Sequence, residues 1–237
     1  MRIAILMPAY DEGDRLARTL AELARFSAEA ELVVFVVDDG GAAPVDAAVV
    51  ARAAHPVPVV LARHAVNLGQ GAAIETARRL ALDDRFAKPG FDAFVTMDAD
   101  GQHRAEDVLA VARAVAGGAA DVALGDRFAG GSNVPASRRW LLALARLFER
   151  VTTGLRLSDV HNGLRAFGPR AIEKLRLRQN RMAHATEISL RIAGLRIVEV
   201  PVAIRYTDET LAKGQRASGA ITVVVDLLHG FLFGSHR

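Results

Sequence analysis

Short apolar runs alternate with stretches of helical period along the first half of the chain. Ile3 to Met7 is an apolar run of strand length, and Leu16, Leu20, Leu23 and Ala24 then recur at helical spacing. Leu32 to Val37 is a β-branched run that stops at Asp38, and Val57 to Leu61 is another. Gly69 to Leu82 reads as a helix, Phe91 to Met97 as a strand, Val108 to Val115 as a helix and Val122 to Leu124 as a strand. Strands alternating with helices predict an α/β fold with a mostly parallel sheet and helices on both faces. Near-continuous apolar strands agree, because such strands are buried on both sides.

The pattern changes after residue 130. Trp140 to Val151 is amphipathic, with Leu141, Leu144, Leu147, Phe148 and Val151 on one side. Gly163 to Phe167 reads as a short strand and Ala185 to Ile192 as a helix. Ile197 to Ile204 reads as a strand, and Pro201 assigns it to a sheet edge, since proline cannot donate to a ladder. Ile221 to Phe233 reads as an apolar C-terminal helix interrupted by Asp226 and His229. No Gly-, Ser- or Pro-rich linker separates the halves, so residues 1–237 are expected to form one domain, with 218–237 as an apolar helix for membrane or partner contact.

Composition narrows the classes. At 237 residues, with 51% hydrophobic and 24% charged residues, the chain suits one globular domain rather than a disordered one. The formal net charge of +3 fits an anionic ligand or a membrane surface, and no nucleic-acid signature accompanies it. Cysteine is absent, which excludes disulfides, thiol catalysis and thiolate metal sites. No run of about 18 apolar residues predicts a membrane-spanning helix.

Ligands of open parallel sheets bind beyond the carboxyl ends of the strands. The residues there are Pro8-Ala9-Tyr10-Asp11-Glu12, Asp38-Asp39-Gly40 and Asp98-Ala99-Asp100-Gly101-Gln102-His103. So many carboxylates at one sheet end imply a cation. Asp98 and Asp100, at i and i+2 on an extended chain, point the same way and could hold Mg2+ or Mn2+ with positions left for phosphate oxygens. The alternative is an Asp-Gly turn. Asp38 and Asp39 could accept from a base or ribose, or simply close a turn. Gly69 and Gly71 flank a helix start where backbone N–H groups can approach an anion. Arg127, Arg138 and Arg139 are candidate phosphate ligands. His103 stands near Asp100 and could join a metal shell, whereas His161 and His184 have no partner at ligand spacing.

Taken in order, Pro8-Ala9-Tyr10-Asp11-Glu12, Val37-Asp38-Asp39-Gly40, Asn67-Leu68-Gly69-Gln70-Gly71, Met97-Asp98-Ala99-Asp100-Gly101-Gln102-His103 and Gly125-Asp126-Arg127-Phe128 resemble glycosyltransferase family 2. The resemblance is to its dolichol-phosphate mannosyltransferase-like, polyprenyl-phosphate branch. Asp159 with Asn162-Gly163-Leu164-Arg165-Ala166-Phe167, and Glu199-Val200-Pro201-Val202, extend it. The resemblance implies a GT-A fold and inverting sugar transfer. It implies that Asp98, Asp100 and Gln102 hold the metal and that Pro8, Tyr10, Glu12 and Asp39 line the nucleotide pocket. It implies that Arg127 and Arg139 meet an acceptor phosphate. The chain departs from the pattern at Gly41, where the family has serine, and at Asn162. It also departs in the late loop, where Lys213 or Arg216 could replace the family's arginine.

The resulting expectation is a cytoplasmic, membrane-peripheral enzyme using a nucleotide-sugar and a polyprenyl phosphate, with no nucleic-acid partner. A small membrane protein could supply the anchor that many relatives carry. Two alternatives stay open. One is transfer to a glycan hydroxyl, which needs a carboxylate base such as Asp126 or Asp159. The other is a non-catalytic nucleotide-sugar-binding subunit.

Overall fold

A computed structural model describes residues 1–87, 90–129, 146–147, 150–159, 162–180 and 183–205. In chain order the elements are β1 (Arg2–Ala9), α1 (Asp14–Ala24), β2 (Glu31–Asp38), α2 (Ala47–Ala54), β3 (Val59–Arg63), α3 (Gln70–Ala81) and α4 (Asp84–Ala87). They continue as β4 (Ala93–Thr96), α5 (Ala105–Ala116), β5 (Val122–Asp126), β6 (Arg165–Phe167), α6 (Pro169–Lys174), α7 (Ala183–Ile192) and β7 (Ile197–Pro201).

The strands form one sheet in the order β3-β2-β1-β4-β6-β5-β7. Adjacent pairs are parallel except those of β6, which runs antiparallel to both β4 and β5. The central strands are buried along nearly their whole length, as their unbroken apolar runs require. One face of the sheet packs Ile3, Ile5, Val34 and Val36 against Leu16, Leu20 and Val108 of α1 and α5. The other packs Leu6, Phe35 and Phe94 against Ile74 and Ala77 of α3 and Ile172 of α6. Alternate residues of each strand therefore serve opposite cores.

The edge placement of the last strand is as expected, but β7 ends at Pro201 rather than Ile204. From there the chain crosses the sheet's carboxyl edge. Val202 N donates to Asp126 O at 3.1 Å, Ile204 forms an antiparallel bridge with His103, and Arg205 N donates to Gln102 O at 2.9 Å. The third strand begins two residues later than its apolar run suggests, at Val59, immediately after Pro58. Helices α2 and α6 are short and bury two residues each, and each has a marked start. Asp46 caps α2 by accepting from Ala48 N and Val49 N, and Pro169 opens α6 with its φ already fixed. Of the amphipathic stretch 140–151, residues 146–147 and 150–151 are described and helical. The apolar segment 218–237 lies outside the described residues, and among those described no helix is long and apolar enough to cross a membrane.

Candidate active site

Parallel pairing brings the carboxyl ends of β1, β2 and β4 to one edge. Ala9 sits opposite Asp38 and Leu6 opposite Thr96, so Tyr10, Asp39 and Asp98 emerge together. They border a cleft of about 400 Å³ lined by Pro8, Ala9, Tyr10, Glu12, Asp39, Asn67, Gly69, Gln70, Asp98, Ala99 and Asp100. Sequence-expected residues Pro8, Tyr10, Glu12, Asp39, Gly69, Asp98 and Asp100 thus converge. Tyr10 is 48% exposed, an aromatic ring at the rim.

Asp98 is held on several sides. Gln70, the first residue of α3, donates Nε2 to Asp98 Oδ1 at 2.7 Å, and His103 Nε2 lies 3.6 Å from Asp98 Oδ2. Gly163 abuts it so closely that a Cβ there would overlap Oδ2 and come within 2.9 Å of Cγ. Behind it a cavity of about 100 Å³ is lined by buried Arg165 and His184. Burial pushes the Asp98 carboxyl up, but the nearby His103, with the charges of Arg165 and His184, outweighs it and leaves the group below its ordinary range. Asp100 goes the other way. Burial raises it first, the charge of Asp98 raises it further, and the N–H of Gln102 at 3.0 Å only partly offsets both. Two carboxylates that disfavour each other's ionisation form a site that a divalent cation relieves. The donor set, hard oxygen atoms at an open cleft, fits Mg2+ or Mn2+. Among the described residues no three His, Asp or Glu side chains converge at ligand distance, so Asp98 and Asp100 are the residues that would hold such an ion. Gln102 contributes its backbone N–H to Asp100, and its side chain is outside the cleft lining.

The two carboxylates at the end of β2 divide between the two readings, turn closure and cleft lining. Asp38 is absent from the cleft lining. It accepts from Gly41 N and Val45 N and pairs with Arg63, which ties the following loop to β3. Asp39 faces the cleft, yet its oxygens accept from His64 Nδ1, Leu68 N, Asn67 Nδ2 and Gly69 N at 2.7 to 3.1 Å. In the neutral tautomer that donates to Asp39, His64 Nε2 accepts from Thr76 Oγ1 at 2.9 Å. Asp39 therefore organises the 64–69 loop, and its capacity of about four lone pairs is already used by the chain's own donors. Gly71 is also outside the lining. A Cβ there would strike Gln179 O, so this glycine serves the packing of α3 against residues 179–180. Gly41 has a similar cause: a side chain there would meet Asp11 Oδ1, which accepts from Ala42 N at 2.8 Å.

The residues after β5 are likewise committed. Asp126 Oδ1 accepts from Phe128 N at 2.8 Å and Ala129 N at 3.2 Å. Arg127 Nε donates to buried Asp159 at 2.6 Å, and Asn162 Nδ2 donates to the same oxygen at 3.1 Å. Neither Asp126 nor Arg127 lines the donor-sized cleft. Arg138, Arg139, Lys213 and Arg216 lie outside the described residues, as does His161. Sequence reasoning did not single out Gln70, Gly163, Arg165 or His184 as site residues. Gln70, Gly163 and Arg165 sat inside motifs already noticed, whereas nothing local marks His184 as a neighbour of Asp98.

Comparison with known proteins agrees with this geometry. The chain is 30% identical over 229 residues to undecaprenyl-phosphate mannosyltransferase of Micrococcus luteus, covering 93% of this chain and 90% of that one. It is 29% identical over 229 residues to polyprenol monophosphomannose synthase of Mycolicibacterium smegmatis, covering 93% and 83%. Among solved structures, glucosyl-3-phosphoglycerate synthase of Mycobacterium tuberculosis, in complex with Mn2+, UDP and glucosyl-3-phosphoglycerate, superposes with a TM-score of 0.66 at 16% identity, covering 96% and 78%. The mixed sheet with helices on both faces is the GT-A fold. The family model for glycosyl transferase family 2 spans residues 4–176, and with the relatives above it establishes that this chain is a glycosyltransferase belonging to that family.

Proposed function

We propose that this glycosyltransferase transfers a sugar, with inversion, from a nucleotide-sugar to a polyprenyl phosphate, using a divalent cation at Asp98 and Asp100. The observation that carries the reading is the donor-sized cleft whose two acidic residues after β4 are opposed in their ionisation. The names of the two relatives support the acceptor.

A Mg2+ or Mn2+ bound there would neutralise the departing diphosphate as a Lewis acid. The chain's own groups do the rest. Gln70 and His103 fix the orientation of Asp98, and Gln102 N–H fixes Asp100. Tyr10, exposed at the rim, offers a face for a nucleobase. In the transfer an acceptor oxygen bonds to the anomeric carbon, and the bond to the nucleoside diphosphate breaks with its electron pair leaving on the diphosphate.

The engagement of the nearby carboxylates supports a phosphate acceptor. Asp39 is filled by four donors, Glu12 pairs with Arg15 at 2.7 Å, and Asp159 is bound to Arg127 and Asn162. Asp126 is engaged by two N–H groups outside the cleft lining. A phosphate needs no base to become a nucleophile, whereas a sugar hydroxyl does. A lipid-borne acceptor puts the reaction at a bilayer surface.

The test is a transfer assay with UDP-, GDP-, CDP- and dTDP-sugars, with Mn2+ or Mg2+ or with chelator, and with or without a short polyprenyl phosphate. A lipid-linked sugar formed only with metal, and lost in Asp100→Asn, is the expected result. Transfer to a glycan but not to the lipid phosphate refutes the acceptor, and full turnover under chelation refutes the cation.

A further inference from the structure

A second cleft, of about 550 Å³, opens between the C-terminal half of α3 and the stretch that follows α6. It shares no lining residue with the donor cleft. Its charged lining is four arginines, Arg78, Arg79, Arg176 and Arg178, against two glutamates, Glu75 and Glu173.

The arrangement is organised from beneath. Glu75 is buried, and its carboxylate accepts from Arg78 Nε and Nη2, Arg79 Nε and Leu177 N, all within 2.8 to 3.2 Å. Burial raises this carboxyl, but those hydrogen bonds outweigh it and keep it ionised at neutral pH. Arg78 spends its remaining terminal nitrogen on Ile172 O at 3.3 Å. Arg79 is different: it is held by Nε alone, and its side chain is 74% exposed. Its terminal nitrogens are thus pre-positioned by Glu75 with donors to spare. Arg176 is exposed beside it. Four arginines against two glutamates leave the lining with a formal charge of +2.

We propose that this cleft is a binding site for a phosphate-bearing anion carrying at least two negative charges. Guanidinium forks match phosphate oxygens, and a fork already fixed by a buried carboxylate loses little freedom on binding. The excess of arginines over glutamates sets the charge the ligand brings. The two walls also lead to the donor cleft. Helix α3 begins at Gln70 against Asp98, and the other wall runs on to Asn180, whose Oδ1 accepts from Ala72 N at 2.9 Å. An anion bridging the walls would brace both elements that shape the donor side.

The ligand can be a free phosphate compound or a lipid headgroup, and two arms separate them. In the first, pyrophosphate is titrated calorimetrically into the metal-free protein with chelator present. The Arg79→Gln/Arg176→Gln double variant should bind it at least about tenfold more weakly than wild type. Asp100→Asn, which alters the donor cleft, should leave that affinity unchanged. In the second, binding to phosphatidylcholine vesicles with and without phosphatidylglycerol is measured for both proteins. Binding to the anionic vesicles that is lost in the double variant and displaced by pyrophosphate assigns the headgroup; pyrophosphate binding without vesicle binding assigns a free ligand. A double variant that melts like wild type and binds both pyrophosphate and anionic vesicles as wild type does overturns the proposal. So does pyrophosphate binding that disappears in Asp100→Asn.

Discussion

Gly163→Ala tests how narrowly the first metal-motif carboxylate is set. The glycine carries no positive φ, so alanine brings no backbone strain, only a methyl group. That methyl would overlap Asp98 Oδ2 and lie 2.9 Å from Cγ, where ordinary contact starts at 3.4 Å. The loop cannot retreat easily, because Gly163 O accepts from Thr96 Oγ1 at 2.9 Å and Leu164 N donates to Asn162 Oδ1 at 3.0 Å. The carboxylate must therefore swing, by roughly 1 Å, off Gln70 and toward the cleft. A displacement of about that size costs on the order of 100-fold in rate, or about 2.7 kcal/mol of transition-state stabilisation. The fold loses only the strain of a displaced rotamer, about 0.5–1.5 kcal/mol. The assay is kcat/KM for sugar transfer across a Mn2+ titration, with the melting temperature in parallel. Gly168→Ala is the control, since its methyl would meet only Asp121 O at 3.5 Å. Wild-type kcat/KM and Mn2+ dependence in Gly163→Ala would refute the claim that this glycine sets Asp98.

Three further substitutions separate structural from functional carboxylates. Asp159→Ala removes the buried carboxylate that holds the largely buried Arg127 and should cost about 3–5 kcal/mol by denaturant titration; a loss below about 1 kcal/mol would contradict a stabilising role for this pair. Asp39→Asn presents an amide to donors at both oxygens and should lower stability by about 1–3 kcal/mol while raising the donor KM through the 64–69 loop, measured by melting and steady-state kinetics. Glu75→Gln should lose about 3 kcal/mol at neutral pH. The folded pKa of Glu75 lies below its ordinary 4.5, so its contribution is complete above that value and fades as pH falls below it. Unfolding curves of wild type and Glu75→Gln should therefore converge below about pH 4.5, and a constant gap into acid would contradict the pairing.

The fold was legible wherever period and burial coincide. Helix α3, read from Gly69 to Leu82, runs from Gln70 to Ala81, because its apolar positions all face one core. Helices α2 and α6 escaped for the opposite reason. They are short, they bury only two residues each, and their starts are marked by a capping aspartate and a proline. The antiparallel β6 has three residues, and its direction follows from how the chain returns between β4 and β5, which no local pattern records.

The site was legible as an address and less so as a division of labour. Strand ends and acidic residues located the cleft, since a run such as Leu32 to Val37 must end where its carboxylates can leave the core. Residue type alone does not say which lone pairs stay available. Asp38 and Asp39 are neighbours of identical chemistry, but consecutive residues of a strand face opposite ways. One is drawn under the loop to Arg63 and two backbone N–H groups, and the other faces the cleft with four donors upon it. Arg127 reads as a phosphate ligand by position, and the fold pairs its Nε with Asp159, 32 residues away. In each case the deciding contact comes from a segment distant in sequence. Asp98 shows the same logic in the functional direction: Gln70, His103 and Gly163 reach it from three separate segments. A motif read along the chain therefore marks the carboxylate, while the fold around it determines whether that carboxylate is left to meet a ligand.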